Sequence, residues 1–232
     1  MATSYNFLES LSRIEECRNN SIMDDILTSI PDFNETHERN IMKAWGSVVY
    51  IKHIDVYNLK CYSDADDYYL LQAILAFASE VCRIFRSNAS CRDVIVEDDR
   101  IIAVYNTSFK EEMNELINDL ARIRTLSYVV EKKFKLSYKS LSVKIAACYG
   151  RLDMSVVEDR ASYKQYVWTG EAKKKAEELI ERGEEDKIFI NRLVWKNLTE
   201  ENQKLFKLIG VLDEDYEGKI VNIAMNNWLN SK

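Results

Sequence analysis

Two acidic side chains stand out by where they fall in the chain. Asp55 closes an otherwise apolar run, Val49-Tyr50-Ile51-Lys52-His53-Ile54-Asp55-Val56. Asp99 lies in a polar turn, Glu97-Asp98-Asp99-Arg100, between two short apolar runs at 94–96 and 101–105. If the first run is a strand lying beside the hairpin, the two carboxylates meet at one sheet edge. Two such oxygen donors suit Mg²⁺ or Mn²⁺ and leave coordination positions open for phosphate oxygens. Carboxylates brought together repel, and a divalent cation removes that cost. Spacing alone also admits plainer roles: an acid-rich turn is commonly just a turn, and an aspartate at a strand end is often a cap or turn former.

Little else in the chain offers chemistry. There are two histidines, His37 and His53, and five cysteines, Cys17, Cys61, Cys82, Cys91 and Cys148. The cysteines are odd in number and form no CxxC pair, which argues against a zinc site and for reduced thiols in a cytoplasmic protein. The net charge of −6 argues against nucleic-acid partners, which select for a basic face. A small triphosphate is not excluded, because its charge can be met locally. No apolar run approaches the roughly 20 residues needed to cross a bilayer, and the first residues lack the basic-then-apolar pattern of a secretion signal. Neither a membrane nor a secreted location is expected.

The elements that must position the acids follow from periodicity. Residues 5–18 and 22–30 read as short amphipathic helices, and Pro31 marks a boundary. This predicts an N-terminal helical extension over 1–44 and a main domain over 45–232. Within it, 48–54 predicts a buried strand. Residues 66–86 and 109–134 predict long helices, and 94–96 with 101–105 a hairpin. Strands are expected at 142–148, ending at Gly150, and at 163–168. A charged helix follows over 170–182, then a short strand at 188–190, a helix near 192–198, and a strand or two within 205–228. The central order, β-α-β-β-α-β, is ferredoxin-like: an α+β fold with an antiparallel sheet and both helices on one face. Many functions share that fold, so it decides none.

Four stretches, in order, raise the specificity. They are Ile54-Asp55; Asp98-Asp99-Arg100-Ile101-Ile102-Ala103-Val104-Tyr105; Val143-Lys144-Ile145-Ala146-Ala147-Cys148-Tyr149-Gly150; and Tyr166-Val167-Trp168-Thr169-Gly170-Glu171-Ala172. Together with Lys187-Ile188-Phe189-Ile190-Asn191 they resemble the catalytic domain of class III nucleotidyl cyclases across roughly two-thirds of the chain. The resemblance implies that Asp55, Asp99 and the backbone carbonyl of Val56 hold two Mg²⁺ or Mn²⁺ ions. It also implies a homodimer whose active sites lie at the interface, one chain bringing the metals and the other the helix after Gly170.

The sequence departs from that family at two places. The transition-state Asn and Arg positions hold Lys174 and Glu178. Lys174, flanked by Lys173 and Lys175, can still bring positive charge to a triphosphate; Glu178 cannot replace an arginine. Either another cation serves, or the enzyme is slow, or the domain is a degenerate nucleotide-binding module without activity. The two purine-reading positions hold Ile95 and Val167, whose side chains cannot hydrogen-bond. Losing those partners weakens purine selection. That pattern resembles the pyrimidine cyclases of the bacterial anti-phage Pycsar systems, which make cyclic UMP or cyclic CMP for a separate effector. UTP is expected ahead of CTP as substrate. Tyr50 is the candidate that narrows the base pocket, and Arg100 the candidate contact to base or phosphates. In plainer terms Tyr50 is a core aromatic and Arg100 a solvated turn residue. A palm-type diguanylate cyclase is disfavoured, because the hairpin turn has no glycine pair.

Overall fold

The computed structural model describes residues 15, 22–30, 41–53, 64–97, 99–136, 141–158, 164–210 and 214–231. Its spine is β2 (Ile41–His53), which pairs antiparallel on one side with β4 (Arg100–Tyr105) and on the other with β5 (Val143–Glu158). β3 (Cys91–Val96) closes the hairpin with β4. The sheet continues beyond β5 through β7 (Lys187–Ile190), β9 (Asp215–Gly218) and β8 (Phe206–Ile209). β1 (Ile22–Leu27) pairs with β2, and β6 (Lys164–Thr169) with the far half of β5. The order β5-β2-β4-β3, with two long helices between its strands, is the ferredoxin-like core that the sequence predicts.

Val48 to Ile51 are all fully buried or nearly so, at 0–1% exposure, because both faces of the sheet are covered. Val49 and Ile51 face α1 (Asp64–Ser87) and α2 (Lys110–Phe134), meeting Phe77, Val81 and Phe85 of α1 and Leu116, Leu120 and Ile123 of α2. These positions recur at helical spacing and form the apolar stripes that drive both helices onto the sheet. Asp119 of α2 is buried there and accepts hydrogen bonds from Asn88 (2.7 Å), the Tyr105 hydroxyl (3.2 Å) and Arg122 (2.8 Å). Burial raises its pKa, and the three donors work in the opposite direction. The cluster ties the end of α1, β4 and α2 together.

Val48 and Tyr50 face the other way, into a second core closed by α3 (Glu171–Arg182). Ala172, Ala176, Leu179 and Ile180 make the buried stripe of this otherwise charged helix. The alanines permit close approach: a Cβ built on Gly150 of β5 would already lie 3.4 Å from that of Ala172. Lys175 (3.1 Å) and Arg182 both pair with the buried Asp215 of β9, fixing the helix at a third point.

Several expectations are corrected. Residues 22–27 form a strand, not part of a helix, and pair parallel with β2 at Ile22↔Ile41 and Leu27↔Ala44. The segment Ile-Met-Asp-Asp-Ile-Leu satisfies helical spacing, but β4 covers β2 only from Ser47 to Lys52. The open edge upstream takes the segment as a strand, a tertiary choice that overrides a weak local preference. β5 does not stop near Gly150 but runs to Glu158, because β2 pairs with it continuously from His53↔Val143 to Met42↔Met154. The tail adds its two strands and also a helix, α6 (Ile223–Asn230), whose start is capped by the Asn222 side chain accepting from the Met225 N–H at 3.1 Å. Two short helices, α4 (Arg192–Lys196) and α5 (Glu200–Gln203), precede β8. The helix expected over 5–18 lies, apart from Glu15, outside the described residues. Among the described residues no helix is long and apolar enough to cross a membrane.

Candidate active site

The β3–β4 turn is closed by the Glu97 N–H donating to the Arg100 carbonyl at 2.9 Å. The next bond carries the site: the His53 N–H, at the end of β2, donates to the Asp99 carbonyl at 3.1 Å. The hairpin turn is thereby fastened to the strand end, two residues before Asp55. Asp55 and Val56, and Asp98 in the turn, lie outside the described residues.

Asp99 is 28% exposed at its side chain. Its carboxylate accepts from the Arg100 Nε at 2.9 Å, and the Lys52 ammonium stands 3.6 Å away. Lys52 and Arg100 are direct partners across β2 and β4, so their side chains leave the same sheet face. Lys52 donates to both Glu181 oxygens at 2.9 Å. Arg100 reaches Glu177 and Glu181 at 3.5 Å each, and Glu97 at 3.7 Å. The hydrogen bond from Arg100 is the main reason the Asp99 pKa falls below its ordinary value, with burial opposing it.

A carboxyl whose pKa is depressed by folding stabilises the fold above its unfolded pKa, and that contribution is lost as the pH falls through the folded one. Asp99→Asn is therefore expected to melt below the parent protein at neutral pH, by no more than about 1 kcal/mol given the partial exposure. The gap should shrink as the pH drops below the ordinary carboxylate value of 3.8. Thermal melts across that range check it, and a pH-independent gap would remove the ion-pair account.

An ionised, partly exposed carboxylate in this position fits the donor chemistry of a hard divalent cation. Among the described residues, no group of three His, Cys, Asp or Glu side chains is arranged to hold a metal, so Asp99 is the one expected ligand whose surroundings are seen.

Tyr50 is 1% exposed and lies beside Ile102 in the core beneath α3. Burial, followed by the nearby charge of Glu177, pushes its phenol pKa well up, so it stays neutral. Ile95 pairs with Ile102 in the same row. Val167 is 40% exposed on β6. Close to these two positions, Trp168 of β6 donates its indole N–H to Asp93 of β3 at 2.7 Å, so β3 and β6 converge there across the sheet face. Lys174 and Glu178 are exposed on α3. The α3 residues at the Asp99 cluster are instead Glu177 and Glu181. Sequence reading missed these two and also Lys52; the one available signal was a lysine inside an apolar strand opposite a residue of the turn.

No protein-family model matches the chain, and no curated protein is significantly similar to it in sequence. Solved structures do match in shape. A class III adenylyl cyclase-like ATP-binding protein from Pseudomonas aeruginosa superposes with a TM-score of 0.70 at 12% identity, over 96% of this chain and 48% of that one. The adenylyl cyclase CyaB from P. aeruginosa gives 0.62 at 11% identity, over 79% of this chain and 97% of that one. The non-canonical dimeric guanylyl cyclase domain of the RhoGC fusion protein from the aquatic fungus Blastocladiella emersonii gives 0.54 at 12% identity, over 75% and 95%. The fold is that of the class III cyclases. Within the class III cyclase fold, the Asp99 hairpin and the end of β2 form the edge on which the sequence expectation rests.

Proposed function

We propose that this chain is a nucleotidyl cyclase that converts a pyrimidine nucleoside triphosphate, UTP ahead of CTP, into its 3′,5′-cyclic monophosphate and pyrophosphate. The observation that supports it most is the bond from the His53 N–H to the Asp99 carbonyl, set within a class III cyclase fold. It brings the turn that carries Asp99 to the strand end that leads into Asp55. Two Mg²⁺ or Mn²⁺ ions held by Asp55, Asp99 and the Val56 carbonyl would lower the pKa of the ribose 3′-hydroxyl and neutralise the departing pyrophosphate. The chain's own part is to hold the ionised Asp99 and its cations in place, because positioning and charge neutralisation supply most of the rate in phosphoryl transfer. The 3′-oxygen forms the new bond to the α-phosphorus, the bond to the pyrophosphate oxygen breaks, and the hydroxyl proton leaves to solvent.

Base choice follows from Ile95 and Val167, which offer a purine no side-chain hydrogen bond; Tyr50, buried beneath α3, contributes only packing behind Ile102 in the row that Ile95 shares. A homodimer is the working assembly that the class III resemblance supports, and Lys174, exposed on α3, is placed on a surface that a second copy could reach. The resemblance to Pycsar cyclases supports an anti-phage signal read by a separate effector. The test is incubation with all four triphosphates and Mn²⁺, followed by mass spectrometry. Cyclic UMP is the expected product. Cyclic CMP alone would reassign the base, and a purine product would overturn the pocket assignment.

A second reading, a nucleotide-binding module without turnover, has its own support. Lys174 and Glu178 stand where cyclases carry Asn and Arg, and a matching structure that covers 96% of this chain is described as an ATP-binding protein. Triphosphate binding with no cyclic product would favour it.

A further inference from the structure

Lys52 and Arg100 present two positive charges side by side, at 24% and 20% side-chain exposure. Four carboxylates surround them: Glu97, Asp99, Glu177 and Glu181. Glu177 and Glu181 lie one turn apart on α3 and are 53% and 51% exposed. Side chains that exposed are able to extend into water, yet Glu177 turns onto Arg100 and Glu181 onto both cations. Carboxylate oxygens at 2.9–3.5 Å from a lysine and an arginine make the charge-assisted contacts that phosphate oxygens make with the same groups. Neither glutamate is needed to dock the helix. Ala176, Leu179 and Ile180 bury its apolar stripe, and Lys175 and Arg182 hold it to Asp215.

We propose that Lys52 and Arg100 are the polyphosphate-binding pair of this site, and that Glu177 and Glu181 occupy them as internal substitutes for phosphate oxygens until a nucleotide displaces them. This rests on the cyclase reading and adds to it a binding residue, Lys52, and two competing anions. Displacement needs only two exposed side chains to swing outward, with α3 staying in place. While the glutamates are bound, the cluster carries more negative than positive charge and repels stray phosphate.

The test is calorimetric titration of the 232-residue chain with inorganic tripolyphosphate, which has neither base nor ribose, at low ionic strength. Glu177→Gln/Glu181→Gln is expected to bind it about tenfold more tightly than the parent protein. Adding Lys52→Met should abolish that gain, while circular dichroism stays unchanged. The pair Glu200→Gln/Glu201→Gln on α5 makes the same charge change at exposed positions elsewhere and should leave affinity near the parent value. Equal affinity in parent and double variant overturns the proposal, and so does an equal gain in the α5 control. The cyclase reading is scored apart, by product formation. Turnover of UTP with no change in tripolyphosphate affinity sinks the competition alone; a gain in affinity with no cyclic product sinks the cyclase reading alone.

Discussion

Replacing Asp99 by asparagine is expected to slow cyclic-product formation by about a thousandfold, with the fold preserved. The amide keeps the size of the carboxyl and still offers Arg100 an oxygen, so the β3–β4 turn has no reason to rearrange. Its backbone bond to His53 is untouched. What disappears is the negative charge that Lys52 and Arg100 now share and that a divalent ion would take up. In phosphoryl transfer, where the protein contributes mostly charge and position, losing the carboxylate proposed to bear the metal falls on the chemical step. Initial rates with UTP and Mn²⁺, beside circular dichroism and a urea melt, provide the check. A rate within about threefold of the parent would remove Asp99 from the chemistry.

Gly170→Ala should destabilise the domain by about 2–4 kcal/mol. Gly170 joins β6 to α3 with φ 111° and ψ −179°, a region open to glycine and closed to residues with a side chain. The space is closed as well. A Cβ there would stand 2.7 Å from the Arg151 carbonyl oxygen, 3.0 Å from the Leu152 Cα and 3.1 Å from the Asp153 nitrogen. Those are backbone atoms of β5, locked between β2 and β6 at Ala44↔Leu152 and Asp153↔Thr169. The cheapest relief is to lift α3, which would uncover Tyr50 and separate Glu177 and Glu181 from their cations. Gly210→Ala is the matched comparison: φ there is 87°, but nothing lies within 4 Å of the added carbon, so about 1 kcal/mol of backbone strain is all that is expected. Urea unfolding of both variants decides it, and equal costs would refute the packing argument.

The core of the fold was legible because its signals are local and strong. Long stripes such as Phe77, Val81 and Phe85 permit one secondary structure, and the unbroken apolar run at 48–51 requires a strand covered on both faces. The hairpin announced itself by its acidic turn. The strand at 22–27 did not, because Ile22, Met23, Ile26 and Leu27 recur at helical spacing and the choice was made by an open edge of β2. Nor did the placement of α3: its charged surface reads as solvated, and only the sheet beneath shows that Glu177 and Glu181 are committed. Lys52 and Glu181 lie 129 residues apart, so nothing in either's neighbourhood betrays the other. Of the charged cluster, Asp99 and Arg100 were singled out from their turn, whereas Glu177 and Glu181, which restrain Arg100 and Lys52, come from a helix with no sequence signal for it.

The long register between β2 and β5 bears on how the molecule is made. Their partnered residues, from His53↔Val143 to Met42↔Met154, are about a hundred residues apart, a separation typical of slow, non-local assembly. A ribosome adding about 5–20 residues per second releases the spine of the sheet on the order of 5–20 s before its second flank exists. Through that interval the buried run Val48 to Ile51 lacks one of its two flanks. Expression yield should therefore depend on chaperone supply and growth temperature more than on the stability of the finished domain.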